Sequence, residues 1–330
     1  MLKLVDSYNR SIDYLRISVT DRCNLRCVYC MPPEGIPLVD SGNILRYEEL
    51  LRIAGIAVKY GVTKIRLTGG EPLVRKGIIE FIEALSGLKG LEDLSLTTNG
   101  VFLKEFAASL RKAGLRRVNV SLDTMRSERF YKITRGDFLN NVIEGIEEAD
   151  RSGLTPVKIN CVVIRGFNDD EILDFALLTK KKPYHVRFIE YMPFEAEERW
   201  QKDKCIFMSQ IIDIIKGFQE IIPVGNQGKR TGPAKRYRFA DGVGEIGFVS
   251  PVSEHFCDSC NRLRLTADGK LRTCLFSDDE VDIKAALRNG CTDKEVEDML
   301  FKAVRKKPER HYISENIFKK CSRTMSFIGG

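Results

Sequence analysis

The sequence predicts an α/β chain built on a parallel sheet. Three observations carry that reading. Short β-type runs alternate with helix-period runs through the first 190 residues. Glycines stand where helix C-caps belong. Near residue 200 the pattern changes to clustered short strands followed by two helices, which predicts a smaller α+β extension. Six βα repeats imply right-handed crossovers between parallel strands. An open doubly wound sheet and a full or partial (β/α) barrel both satisfy this, and periodicity alone does not choose between them.

The predicted strands of the first part are Tyr14–Val19, Lys64–Leu67, Leu94–Thr97, Arg117–Leu122, Val157–Val163 and His185–Ile189. Between them, Arg46–Tyr60 places Tyr47, Leu50, Leu51, Ala54, Ala57 and Val58 on one helical face. Gly77–Leu88, Leu103–Ala113, Leu139–Arg151 and Asp169–Lys181 read the same way, and Gly61, Gly114 and Gly153 follow as C-caps. Gly225–Ala234 is rich in glycine and basic residues and reads as a loop. Beyond it, Tyr237–Phe239, Glu245–Val249 and Arg262–Thr266 read as short strands. Ala267-Asp268-Gly269 reads as a hairpin turn leading into Lys270–Cys274. Helices are predicted over Val281–Arg288 and Asp293–Lys306. The division predicted is residues 1–200 for the βα part and 201–330 for the extension.

The chain has 330 residues, which at roughly 150 per domain suggests one large domain or two ordinary ones. Hydrophobic residues make 43% and charged residues 30%, proportions of a globular protein with a large core. No apolar run approaches the roughly 18 residues of a membrane span, and the N-terminus lacks a secretory pattern. A cytoplasmic protein is expected. The net charge of +7 is mildly basic. Its cations are scattered, with only short runs such as Lys180-Lys181-Lys182, which favours a polyanionic small molecule over nucleic acid.

Ten cysteines in a chain expected in a reducing compartment point to metal or redox chemistry. Six form two sets: Cys23, Cys27 and Cys30, then Cys257, Cys260 and Cys274. Cys161, Cys205, Cys291 and Cys321 are isolated and read as packing residues. The first set follows directly on the first strand. Structural zinc and electron-carrying iron–sulfur centres normally take four protein ligands, so three thiolates with no nearby histidine imply an open coordination position. A zinc knob completed by a distant cysteine is the alternative. Thr68-Gly69-Gly70-Glu71-Pro72 follows the second strand, and paired glycines let backbone approach a ligand closely. By spacing alone, the second set is compatible with a zinc site completed by His255.

Cys-x3-Cys-x-Tyr-Cys at residues 23–30, followed by Gly-Gly-Glu-Pro, resembles the radical S-adenosylmethionine (SAM) superfamily. Cys257-Asp258-Ser259-Cys260-Asn261-Arg262-Leu263-Arg264 with Cys274, Glu190-Tyr191-Met192-Pro193 and the terminal Gly329-Gly330 resemble, within it, the GTP 3′,8-cyclase family of molybdenum cofactor biosynthesis. The resemblance runs from about residue 10 to the last residue. It implies a partial (β/α)6 TIM-type barrel with the extension closing one side. It implies two 4Fe–4S clusters: one on Cys23, Cys27 and Cys30 with SAM on its open iron, and one on Cys257, Cys260 and Cys274 whose open iron meets the guanine of GTP. By the same correspondence Tyr29, Gly70, Ser121 and Met192 contact SAM, and Arg16, Arg66, Thr97, Lys158, Arg262, Leu263 and Arg264 contact GTP. Gly329 and Gly330 are expected to reach into the active site. Burying Arg16, Arg66 or Lys158 against the helix layer without a partner would cost several kcal/mol, so these three are expected to face the cavity.

The implied reaction starts with reductive SAM cleavage to methionine and a 5′-deoxyadenosyl radical. The radical abstracts the C3′ hydrogen of GTP, and C3′ attacks C8 to give 3′,8-cyclo-7,8-dihydro-GTP. An external one-electron donor is implied, and the product passes to cyclic pyranopterin monophosphate synthase. A homodimer is left open. A peptide-modifying radical SAM maturase is the enzymatic rival, against which Asn261-Arg262-Leu263-Arg264 argues. A two-cluster electron carrier would show four cysteines per cluster, and a zinc protein that binds nucleic acid would hold zinc without sulfide.

Overall fold

The computed structural model describes residues 3–192, 202–225, 232–312, 323 and 325–329. In chain order it holds β1 (Tyr14–Ser18), α1 (Tyr47–Lys59), β2 (Lys64–Thr68), α2 (Ile78–Ser86), β3 (Asp93–Thr98), α3 (Leu103–Lys112) and β4 (Arg117–Ser121). Then come α4 (Ser127–Thr134), α5 (Leu139–Arg151), β5 (Lys158–Val163), α6 (Ile172–Lys181) and β6 (His185–Glu190). The extension contributes α7 (Met208–Phe218), β7 (Ile221–Pro223), β8 (Lys235–Phe239), β9 (Glu245–Val249), β10 (Arg262–Leu265), β11 (Lys270–Arg272), β12 (Val281–Asp282), α8 (Ile283–Arg288), α9 (Asp293–Arg305) and α10 (Met325–Ile328).

Strands β1 to β6 pair in sequence order, all parallel, as six βα repeats require. This is the partial (β/α)6 TIM-type barrel. The extension does not stand apart from it. Its strands lengthen both edges of the same sheet: β10 runs parallel to β1, and β9 runs parallel to β6. The result is one twelve-stranded sheet in the order β12-β11-β10-β1-β2-β3-β4-β5-β6-β9-β8-β7.

Alternation along the strands sorts their side chains. Leu15, Ile17, Ile65 and Leu67 are completely buried in the main core. Arg16 and Arg66, between them in sequence, project from the opposite face. Helix α1 buries Leu50, Ile53, Ala54 and Ala57 against this layer. Its first turn is closed by Glu49 accepting from the Arg46 backbone N–H at 2.7 Å, and Gly61 (φ +98°) ends it. Besides the single-turn α10, two helices escape the sequence pattern. The stretch α4 is short, largely polar and capped by left-handed Arg135 (φ +57°) rather than glycine. Helix α7 buries Met208, Ile211 and Ile215 at helical spacing. The expected Val281–Arg288 helix begins only at Ile283, because Val281 and Asp282 pair with β11 as β12. Most of the Gly225–Ala234 loop, and Cys321, lie outside the described residues. Among the described residues no helix is long and apolar enough to cross a membrane.

Candidate active site

The first cysteine set occupies the loop leaving the C-terminal end of β1. The N–H groups of Cys30 and Met31 both donate to the Cys27 carbonyl (2.9 and 3.0 Å), a tight turn that folds Cys30 back on Cys27. The unforeseen α4 is what the loop rests on. Arg26 and Val28 donate to the carbonyls of Thr134 and Ile133, and the Arg135 guanidinium donates to the Arg26 and Met31 carbonyls. Burial pushes the Cys27 thiol well up, and the neighbouring Cys30 and Cys23 push it further. Burial raises Cys23 as well. Three thiols crowded on one loop, two of them made hard to ionise by burial, are a donor set for a cation. A bound iron centre inverts that balance, so the residues fit a cluster.

Gly69 and Gly70 approach the start of this loop. The Gly70 N–H donates to the Thr20 carbonyl at 2.8 Å and the Glu71 N–H to the Arg22 carbonyl at 2.8 Å. A Cβ on Gly70 would lie 2.3 Å from the Arg22 carbonyl oxygen, so only glycine fits. The close approach is therefore to residues 20–22. Glu71 is fully buried and accepts from Thr98 Oγ1 (2.8 Å), Asn99 N (2.7 Å) and Leu73 N (3.0 Å). Burial still lifts its carboxyl to about 7. The Asn99 amide in turn donates to Asn24 Oδ1 (2.8 Å) and Cys23 Sγ (3.7 Å), tying the Gly-Gly-Glu segment to the cysteine loop.

Tyr29 donates its hydroxyl to Asp123 at 2.6 Å, and Asp123 also accepts from Val162 N at 2.8 Å. Burial raises the Asp123 carboxyl to about 6. Ser121 ends β4 and is exposed. Met192 follows β6 and packs against the buried pair Phe276 and Ile328, as do Cys274, Leu275 and Met325. That one apolar group joins an expected SAM contact, an expected cluster ligand and the C-terminal tail.

Apart from Leu263, the expected GTP residues share the opposite face of the sheet from the core. In register, Arg264 neighbours Arg16, Arg16 neighbours Arg66, and Arg66 neighbours Ser95. Thr97 neighbours Asn119, which neighbours Lys158. Arg262 lies beside Tyr14. Leu263 is fully buried, so its side chain belongs to the core. The cations act on one another. Burial and then the nearby Arg264 depress Arg16 well below its usual range. Burial, then Arg187 and Arg117, bring Lys158 down to about 5. Burial lowers Arg264 to about 10 and Arg187 to about 9. Burial would raise the Tyr14 phenol, yet the charges of Arg66, Arg16, Arg262 and Arg117 bring it below its ordinary value. Thr97 Oγ1, Asn119 Oδ1 and Asn160 Oδ1 are buried polar atoms without a hydrogen-bond partner among the described residues. This is a strongly positive pocket lined with hydrogen-bonding groups, suited to a polyanion. Arg187 was not singled out from sequence. Its alternation with Val186 and Phe188, both buried, was the available signal.

Gly329 enters this face. Its carbonyl accepts from Arg264 Nη1 at 2.8 Å, and it lies against Thr68 and Ser18 at the ends of β2 and β1. Gly330 and Pro193 lie outside the described residues. The second cysteine set gathers Cys257 and Cys260, on one turn (Cys260 N to Cys257 O, 3.0 Å), with Cys274 after β11. Burial raises Cys257, helped by Cys274 and Cys260. Cys260 differs. Against the upward push of burial, the charges of Arg262 and Lys307 hold it down to about 6. Three thiols, two of them near enough to act on Cys257 and one favoured as thiolate, fit a metal cluster. His255, Cys257 and His311 also bring ligand atoms within 4.8 Å of one another. Cys161 and Cys205 are buried and Cys291 half-buried, as packing residues are.

These features define the class: a radical SAM enzyme. Residues 17–179 match the radical SAM superfamily, and residues 184–313 match the family described as Molybdenum Cofactor Synthesis C. The fold is shared with Streptococcus suis SuiB bound to S-adenosylmethionine (TM-score 0.60, 15% identity, covering 91% of this chain and 69% of that one). It is shared equally with anSMEcpe with bound AdoMet (TM-score 0.60, 18% identity, covering 93% and 84%). More specifically, the chain is 52% identical over 327 residues to a GTP 3′,8-cyclase from Thermodesulfovibrio yellowstonii, covering 98% of this chain and 99% of the relative. It is 49% identical over 325 residues to one from Pelotomaculum thermopropionicum, with coverage of 98% and 99%. The chain belongs to the GTP 3′,8-cyclase family, which acts at the first step of molybdenum cofactor biosynthesis.

Proposed function

We propose that the chain converts GTP to (8S)-3′,8-cyclo-7,8-dihydroguanosine 5′-triphosphate, with Cys23, Cys27 and Cys30 holding one 4Fe–4S cluster and Cys257, Cys260 and Cys274 a second. The observation that carries the reading is the group of mutually repelling, buried cations on the inner face of the sheet, with the two three-cysteine sets at its edges. When bound, the first cluster with SAM supplies the 5′-deoxyadenosyl radical, and the second offers an open iron to the purine.

The protein's own part is to bind, orient and exclude. Arg16, Arg66, Lys158 and Arg264 bind the triphosphate, whose charge offsets their mutual repulsion. Thr97 and Arg262 orient the nucleoside, with Leu263 contributing only main chain. Tyr29, Gly70, Ser121 and Met192 hold SAM, with the Tyr29 ring fixed through Asp123. Gly329, with Gly330, fills the space beside the nucleotide and keeps out water and stray hydrogen donors. An external one-electron donor supplies the reducing equivalent, and the product passes to cyclic pyranopterin monophosphate synthase in the cytoplasm.

The test is anaerobic reconstitution followed by incubation with GTP, SAM and a chemical reductant. Cyclised GTP and 5′-deoxyadenosine should form together, on a protein holding iron and sulfide for two clusters. The closeness of His255, Cys257 and His311 favours a second reading, a zinc ion at the second site. Zinc without matching sulfide there would establish it and overturn the second cluster.

A further inference from the structure

Lys307 has no part in the reaction described above, yet it is one of the most deeply buried charges in the chain, at 3% exposure. It stands just past the end of α9, where a basic residue is ordinarily solvated. Its ammonium donates to the Arg262 carbonyl at 3.1 Å and to the Thr273 carbonyl. Arg262 lies two residues beyond Cys260, and Thr273 immediately precedes Cys274. The same ammonium is within electrostatic reach of the Cys260 and Cys274 thiols. Arg10 secures the segment from the other side, its guanidinium donating to the carbonyls of Pro308, Glu309 and Cys257 at 2.6 to 2.8 Å.

An ammonium carried into the interior costs several kcal/mol unless anionic partners face it. Two carbonyl dipoles are a partial answer. Three thiolates carrying a cluster are a sufficient one. Hydrogen bonds and positive charge at cluster sulfurs favour the reduced, more negative state and so raise its potential.

We propose that Lys307 is a positioning residue for the second cluster: its ammonium ties together the two stretches that carry Cys260 and Cys274 and sets the cluster's potential by its charge. This rests on the second-cluster reading. Arg262 also carries charge near Cys260, but its guanidinium lies over the Phe256 ring (4.8 Å to the centroid) and is assigned to the nucleotide. Arg10 reaches the Cys257 carbonyl alone of the three stretches, whereas the donors of Lys307 bridge the backbone beside Cys260 and that beside Cys274.

The test uses the reconstituted full-length enzyme. Iron and sulfide are counted per chain, and the potential is titrated on the electron paramagnetic resonance signal that GTP addition perturbs. Lys307→Met should lower the potential by at least 59 mV, a tenfold change in a one-electron equilibrium, with the other cluster's signal unmoved. Lys307→Gln retains a donor for the two carbonyls without the charge and should shift it likewise, so the result does not hang on the Met variant folding. Lys307→Arg should restore the wild-type value. Unchanged potential and cluster content in both neutral variants, or an Arg variant shifted as far as the Met variant, would overturn the proposal. Wild-type protein holding iron and sulfide for a single cluster would instead sink the second-cluster reading itself.

Discussion

Replacing Gly329 by alanine tests whether the tail is part of the active site. The backbone there is left-handed, at φ +79°. An alanine in that region costs about 1–2 kcal/mol. Its Cβ would also sit 2.5 Å from Thr68 Oγ1 and 3.0 Å from Ser18 Cβ. Thr68 has little room to yield, since it is nearly fully buried and its hydroxyl donates to the Ile17 carbonyl at 3.3 Å. Overpacking of this kind costs about 1–3 kcal/mol. Arg323 is anchored separately on Asp268 and Glu280; what seats the residues beyond it is of similar size to the strain: one charge-assisted hydrogen bond from Arg264, about 1.5–3 kcal/mol, and the burial of Ile328, about 1.5–3 kcal/mol. Strain and docking nearly cancel, so the tail should leave its seat for much of the time. Because the last residues lie outside the main core, melting temperature and iron content should not change. Quantifying both products after a fixed anaerobic incubation, cyclised GTP should fall by about twofold or more, as the seated fraction falls, while 5′-deoxyadenosine continues to form uncoupled from it. Cyclised GTP at the wild-type rate from a stable Gly329→Ala enzyme would refute the reasoning and return the tail to the status of an ordinary terminus.

Two further outcomes follow from the same geometry. Cys27→Ala removes the central thiol of the first set, so 5′-deoxyadenosine and cyclised GTP should both disappear on product analysis while the second site keeps its iron; normal 5′-deoxyadenosine formation would contradict the assignment. Lys158, held down to about 5 chiefly by burial, is neutral in the empty protein at neutral pH and protonated in the unfolded chain, so it makes stability rise with pH across that interval. GTP should restore its proton: calorimetry near pH 7.5 in buffers of different ionisation enthalpy should show proton uptake on binding that Lys158→Met reduces, together with GTP binding weaker by about 1.5–3 kcal/mol and SAM binding unchanged.

The parts of this structure that were legible in the sequence are those where one local rule acts alone. Strands β1 to β6 announce themselves because a buried parallel strand needs consecutive apolar residues on one parity, and the basic residues on the other parity then point to the cavity. The cysteine sets are legible because ligand chemistry restricts both residue type and spacing. Helix α4 was not. Its sequence is polar, its C-cap is Arg135 rather than glycine, and its value lies in tertiary hydrogen bonds to Arg26 and Val28 that no local pattern encodes. The same holds for Asp123, Asn99 and Lys307, each an unremarkable polar residue until the fold brings Tyr29, Cys23 or Cys260 against it.

The most instructive difference concerns the extension. A pattern break near residue 200 marks a smaller α+β extension, but where its strands pair is a long-range property that the pattern does not give. Strand β10 joins β1 across about 250 positions of sequence, and its register sets Arg264 beside Arg16. One face of the cationic pocket thus comes from the start of the chain and the adjoining face from near its end. Neither half alone assembles the positive field that depresses Tyr14 and Arg16, because Arg262 and Arg264 supply part of it from β10. Triphosphate binding should therefore report on docking of the extension as sensitively as on any single contact. A protein with its strands intact but β10 detached would keep the first cysteine loop, which is anchored by α4, and would lose the second cysteine set and the nucleotide together.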